Sequence, residues 1–467
     1  MNDVFNDIKE SAKTENLVKY FTDLYFANFD LICENTGESM NIARSEAIEN
    51  FNINGIFNGE NEKYKHINIQ EIFSDTYEKY FVPTELQTTE EIFTCDVSNL
   101  NTHEIFLING FYFAKNEKLT ILENGVIYGS LAEASIKYPE LFKKYYNKIS
   151  DNENEGLIAL NTAFAQDGIF IYVPQNVVED KPIQIVNLLL GSNPAMTQYR
   201  NLFVIDKNAQ ANILICDHTI SDSKFITNCV SETFVEANAH VEIVRLQNEH
   251  NLANHFSFFH TKQERDSRCT DNIITLNGGV VCNNVATLLA GEYCENHTNG
   301  LFLVDKSQCV ANYTSANHIS PRCTSTELFK GVLDDSAIGI FKGKILVSPH
   351  ADKTEAFQSN DNIMLTDTAR MYTRPQLEIY ADDVKCSHGV TVGRLDDDAL
   401  FYMRSRGIEL RDARLLQLYG FAYDVISKIG IEPLRDCVAE LTEKRLRGEL
   451  TKCASCAYKC DKRTAEE

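Results

Sequence analysis

The chain reads as mainly β: a right-handed parallel β-helix flanked by an N-terminal mixed, mostly helical region and a C-terminal helical domain. Three observations predict this. From about residue 168 to 392, short apolar runs recur between Asn, Asp, Ser, Gly and His, with no long amphipathic helix among them. Two of these stretches, NAQANILI at 208–215 and NAHVEIVR at 238–245, share one texture and start 30 positions apart, and DDSAIGIFKGKILV at 334–347 returns to it. Past residue 393 the apolar spacing becomes helical.

An imperfect repeat of this length suits a solenoid, in which neighbouring coils pair backbones at about 4.8 Å and stack inward apolar residues into one core. The short strict period of a left-handed hexapeptide helix is absent, and a β-sandwich is the competing all-β arrangement. The ends of a solenoid expose strand edges, which the flanking helical regions are expected to cover.

Taken in order, residues 1–167 form the N-terminal region. Leu17, Phe21, Leu24 and Tyr25 fall at helical spacing, as do Ile42, Ala47 and Ile48, and the turn FNGEN at 57–61 breaks the region into short helices. Strand candidates follow in EIFLING and ILENGVIYGS, then a helical insertion over 131–150 and a buried helix from Leu157. DGIFIYVP and KPIQIVNLLL open the β region of 168–392. Over 393–448, Asp396, Asp397 and Asp398 suit a helix start and Gly407 its end. Leu415, Leu418, Ala422, Val425, Ile426 and Ile429 share one face of the next helix; Gly430 marks its end and Pro433 opens a third. Residues 449–467 are a cysteine-containing tail.

With 467 residues, the chain buries a large core without disulfides. Its 67 Asp and Glu against 44 Lys and Arg give a formal charge of -23, which repels nucleic acid and anionic membrane and leaves soluble proteins as the expected partners. No apolar run reaches membrane-spanning length, and MNDVFNDIKE is not the start of an export signal. A cytoplasmic protein is therefore expected, with its 14 cysteines as thiols or metal ligands.

Chemistry concentrates in residues 375–408. Cys386 and His388 are two positions apart, so on a strand they share a face and can both meet a metal or sulfur species, although further ligands must come from elsewhere. The same spacing also fits a buried small thiol beside a hydrogen-bonding histidine. In CASCAYKC, Cys453, Cys456 and Cys460 can gather round one metal, with Cys437 a fourth ligand if its helix folds back; a redox CxxC pair and a tail with incidental cysteines are the other readings. The histidines at 218, 240, 250, 255, 260 and 318 form no HExxH, and neither a GxxxxGK[ST] loop nor a GxSxG elbow is present, so ATP hydrolysis, zinc proteolysis and α/β-hydrolase chemistry lack their parts.

Residues 375–408, PQLEIYADDVKCSHGVTVGRLDDDALFYMRSRGI, resemble the SufB/SufD family of iron–sulfur cluster assembly scaffolds, which share a P-x-L-E-I-x-A-D-D-V-x-C-S-H-G phrase followed by GxLD and FYxxSRGI. FKGVLDDSAIGIFKGKILV at 329–347, AFQSNDNIML at 356–365 and GENEKYKHINI at 59–69 are similar to further family segments. The resemblance implies a right-handed parallel β-helix that pairs with a SufB-like paralogue, while a SufC-like ATPase docks on residues of about 395–445. It implies that His388 contributes to cluster assembly near the partner interface, with Cys386 as its accompanying cysteine. Asn360 stands where the SufB side carries a cluster-assembly cysteine, and Gly389 follows His388 where that side tends to have glutamate. Both departures point to the SufD side.

The function expected from the resemblance is that of a noncatalytic scaffold with no stably bound cofactor of its own. A nascent cluster is held transiently in the heteromeric complex, and ATP chemistry is left to the partner. Two other functions fit a β-helix: an enzyme acting on an extended polysaccharide, and a homodimeric structural scaffold without a cofactor.

Overall fold

The computed structural model describes residues 16–56, 62–74, 77–83, 100–114, 117–151 and 153–449. From residue 169 onward the chain winds as a parallel β-solenoid of two facing sheets, alternating between them with every pass. The first sheet stacks Ile169–Val173, Ala195–Ile205, Phe225–Val235, Ala253–Gln263, Val280–Leu289, Cys309–His318, Ile338–Val347 and Arg370–Ile379. The second stacks His103–Ile108, Ile183–Leu189, Gln210–Thr219, His240–Asn248, Arg268–Asn277, Glu295–Val304, Thr324–Leu333, Glu355–Met364 and Lys385–Gly393.

The sequence repeat is one coil of this solenoid. Gln210 pairs with His240, and Ala211, Ile213 and Ile215 lie directly under Val241, Ile243 and Arg245. The shared Asn-Ala is a corner: Asn208 and Asn238 adopt φ of 57° and 58°, a left-handed conformation that Asn tolerates better than most residues. Their side chains form a ladder down the corner, Asn238 Nδ2 donating to Asn208 Oδ1 at 2.9 Å and Asn208 Nδ2 to Asn176 Oδ1 at 2.7 Å.

Over the early and middle coils both outer faces are covered, which explains why those strands read as apolar runs rather than strict alternations. Phe21, Tyr25, Phe51, Leu157 and Phe164 of the N-terminal helices pack on Ile226, Val230, Phe256 and Phe258 of the first sheet. Helices Leu410–Ile426 and Glu432–Leu446 lay Leu418, Ala422, Val425, Ile426 and Leu434 on Leu214, Val244, Leu246 and Ile274 of the second. Arg445 fastens them, donating to Leu276 O and to Asp305, both at 2.7 Å. Asp396 caps the preceding helix, Asp397–Ser405, by accepting from Asp398 N and Ala399 N, as its position suggested. In the N-terminal helix Glu38–Asn54 the expected stripe is corrected: Ala47 and Ile48 are buried with Met40, Ala43 and Phe51, but Ile42 faces solvent.

The two ends of the solenoid differ. At the start, the short strands Phe111–Phe113 and Leu119–Ile121 and the strand Ile127–Ser130 add antiparallel caps to the sheets. At the other end, the outer edges of Arg370–Ile379 and Lys385–Gly393 pair with no strand among the described residues. The helices run along the flanks instead of across this end, so the expectation that they cover both edges fails here.

Candidate functional site

The uncovered end is where the sequence concentrated its chemistry. Lys385–Gly393 alternates, and Cys386, His388, Val390 and Val392 extend the ladder positions of Ala356, Gln358, Asn360 and Asn362. Ala356 and Gln358 are buried within the previous coil, so Cys386 and His388 continue its inward face. The two residues are brought to one face, as their spacing indicated, but into different surroundings. Cys386 packs with Ala316, Ile345, Val347, Ala351 and Ala356, and burial pushes its thiol pKa up. His388 is exposed, and its imidazole has no hydrogen-bond or ionic partner among the described residues.

Below His388 lies a column that sequence reading missed. Asp271, Thr298, Glu327, Gln358 and His388 are successive ladder partners through five coils of the second sheet. Glu327 Oε2 accepts from Gln358 Nε2 at 2.6 Å and from Thr314 Oγ1 at 2.8 Å. Burial without a cation pushes its carboxyl up to about 7. Gln358 Oε1 is buried and has no partner. The signal was the inward alternation of Ser325 and Glu327 in TSTELF, which becomes meaningful only once the coil length is known.

Asn360 is enclosed beneath Val390: its Oδ1 accepts from Asn362 Nδ2 at 2.8 Å. A Cβ at Gly389 would touch nothing within 4 Å, so backbone crowding does not impose glycine beside His388. Cys453, Cys456 and Cys460 lie outside the described residues, while Cys437 packs in the seam between the C-terminal helices and the second sheet. Among the described residues no group of three or more His, Cys, Asp or Glu gathers as a metal site. No described helix is long and apolar enough to cross a membrane. Two of the middle histidines are held in the solenoid interior, His255 by Glu249 at 3.0 Å and His318 by Ser325 at 2.8 Å.

The terminal coil can therefore offer one unengaged imidazole, a nearby thiol and two open strand edges, but not a complete ligand shell. Around it stand exposed Tyr380, Ile379 and Val392. On the adjoining helix Asp397–Ser405, Phe401 and Tyr402 are 76% and 59% exposed, forming a second apolar surface.

Comparison with known proteins agrees with this architecture. Residues 188–421 match the family described as SUF system FeS cluster assembly, SufBD core domain, and residues 15–185 match the SufBD protein N-terminal region. The iron-sulfur cluster assembly protein SufD of Escherichia coli (strain K12) is 32% identical over 297 residues, 63% of this chain and 70% of that protein. The SufBD family protein slr0076 of Synechocystis is 29% identical over 361 residues, covering 75% and 77% of the two chains. SufD of Bacillus subtilis (strain 168) is 27% identical over 328 residues, covering 70% and 75%. With both halves matched and the solenoid in place, the chain belongs to the SufBD family of iron–sulfur cluster assembly scaffold proteins, on its SufD side.

Proposed function

We propose that this chain is the SufD-like, noncatalytic half of a two-scaffold assembly that builds an iron–sulfur cluster with a SufB-like paralogue and a SufC-like ATPase. The observation that carries the reading is the open edge of the last coil, with His388 exposed beside it. Unpaired N–H and C=O groups there match the edge of a second β-solenoid, and apolar Tyr380, Ile379 and Val392 supply area to bury. The imidazole of His388 then donates a nitrogen lone pair to iron, while the paralogue supplies the sulfur-rich remainder of the shell. Cys386, recessed and with a raised thiol pKa, is the secondary ligand.

The cluster is cargo in this scheme, formed at the interface and passed on. ATP hydrolysis belongs to the SufC-like subunit, which docks on residues of about 395–445, where Phe401 and Tyr402 form an apolar anchor. Closure of two ATPase subunits pulls these helices, whose packing on the second sheet transmits the movement to the solenoid. The proposed compartment is the cytoplasm, in keeping with the free thiols among the described cysteines.

Anaerobic reconstitution of the three subunits tests the reading. His388→Ala should keep the complex intact by size exclusion but lose most of the bound iron and sulfide, and Cys386→Ala should lose less. Full cluster yield with His388→Ala rejects the imidazole as a ligand, and failure of the chain to associate with a SufB-like partner rejects the two-scaffold arrangement.

A further inference from the structure

Through the middle coils, the residue preceding each strand of the second sheet lies inside a corner, stacked on the equivalent residue of the next coil. Backbone hydrogen bonds trace the stack: His240 N to Ala209 O, Arg268 N to Ala239 O, Glu295 N to Ser267 O, Thr324 N to Cys294 O and Glu355 N to Cys323 O, all within 2.8–3.0 Å. All five stacked residues are buried, and the corner takes only small side chains. At two successive levels it carries thiols.

Cys294 and Cys323 are thus held one coil apart with parallel side chains, at the spacing of about 4.8 Å between paired strands. That lies inside the Cα separation a disulfide requires. Both thiols reach the carbonyl oxygen of Gly291 at 3.1 Å, and Cys294 also reaches Glu264 O at 3.2 Å. Ser267 Oγ, one level down, donates to the Cys294 sulfur at 3.7 Å. Cys294 therefore has carbonyl acceptors for its proton when neutral and the Ser267 hydroxyl as a donor to its sulfur. The hydrogen bond from Cys323, aided by the Ser267 hydroxyl and the backbone of Gly291 and Ser267, holds the Cys294 thiol below its ordinary range despite burial. The same contact, with burial, pushes the Cys323 thiol up, so Cys323 keeps its proton, and burial pushes the thiols of Cys269, Cys282 and Cys309 up as well.

We propose that Cys294 and Cys323 form a peroxide-reactive dithiol, oxidised to an intrachain disulfide that staples two successive coils of the solenoid. The Cys294 thiolate attacks one oxygen of hydrogen peroxide; the O–O bond breaks, leaving a sulfenic acid, and the departing hydroxide takes up the proton Cys294 released. Cys323 sulfur then attacks Cys294 sulfur, the S–S bond forms, and the sulfenic hydroxyl leaves as water with the Cys323 proton. Two thiols and one peroxide become one disulfide and two waters, with two electrons passing from sulfur to oxygen. Small, neutral peroxide suits a site beneath the turn at 290–293 better than a bulky disulfide does. This chemistry is independent of the cluster-assembly reading.

The test uses the reduced full-length chain, exposed to graded hydrogen peroxide, denatured, alkylated and digested without reductant. Mass spectrometry should find a Cys294–Cys323 linked peptide at the lowest doses, before modification of Cys386, and dithiothreitol should remove it. Cys323→Ser retains a hydroxyl donor and should stop at a sulfenic acid on Cys294 that dimedone traps; Cys294→Ser should leave Cys323 unlabelled. Both cysteines recovered as free thiols at doses that oxidise Cys386, or linked to other cysteines instead of each other, would overturn the proposal. The unmutated chain alone decides this, should either variant fold poorly.

Discussion

Gln358 stands directly between Glu327 and His388: its Nε2 donates a 2.6 Å hydrogen bond to Glu327 Oε2, and its backbone is the ladder partner of His388. A buried carboxyl without a cation thus lies two coils beneath the exposed imidazole.

This arrangement sets a pH dependence. Glu327 titrates at about 7 in the folded chain against 4.5 for an ordinary glutamate, so between those values the native state binds more protons than the unfolded one. Its contribution to stability is full below about pH 4.5 and is lost as the pH rises through 7. Glu327→Gln keeps an acceptor for Gln358 and removes the titration. Relative to the parent, the variant should gain on the order of 2–3 kcal/mol on going from pH 4.5 to pH 8, measured by urea unfolding at each pH. Parallel pH profiles for the two proteins would show that Glu327 is not buried as a proton-binding group.

A second prediction concerns the clamp between the N-terminal region and the solenoid. Arg200 and Glu232 form a fully buried ion pair at 3.0 Å, and Glu232 also accepts from the amides of Asn147, Lys148, Ile149 and Ser150 at 2.6–3.2 Å. Burial alone would raise the Glu232 pKa, but Arg200 and these amides outweigh it and hold the pKa below the usual value. Glu232→Ala leaves the Arg200 charge buried without its anionic partner, with only the neutral acceptors Thr162, Asn147 and Ser150, and should cost about 3–5 kcal/mol by chemical denaturation. A loss under about 1 kcal/mol would mean that water reaches Arg200.

The exposed pair on the helix Asp397–Ser405 gives a third. Replacing Phe401 and Tyr402 with serine removes no core contact, so the melting temperature should stay within a few degrees. Affinity for the SufC-like ATPase should fall by roughly 30-fold or more, the scale of an aromatic anchor worth about 2 kcal/mol, by titration calorimetry. Unchanged affinity would rule out Phe401 and Tyr402 as the proposed docking anchor.

Much of this architecture was legible in the sequence because its signals are local. The Asn-Ala repeat marked a coil because Asn208 and Asn238 occupy left-handed corners whose demands are set by the residue itself. Asp396 and Pro433 marked helix starts for equally local reasons. Cys386 and His388 were found because strand periodicity puts positions two apart on one face. Glu327 and Gln358 were missed because their contact depends on register between coils, where one residue of slip moves every side chain to the other face. Ile42 misled because three apolar residues fit a helical stripe, while the buried face was settled by what the N-terminal region packs against.

The most direct test of the central claim is backbone hydrogen exchange at Lys385–Gly393 and Arg370–Ile379, measured with and without a SufB-like partner. An edge that completes its ladder in the complex should slow exchange of its outward amides at least roughly tenfold on binding, while amides of the inner coils stay unchanged. Binding with no added protection at either strand would contradict the account, because His388 would then lie away from the surface between the two scaffolds.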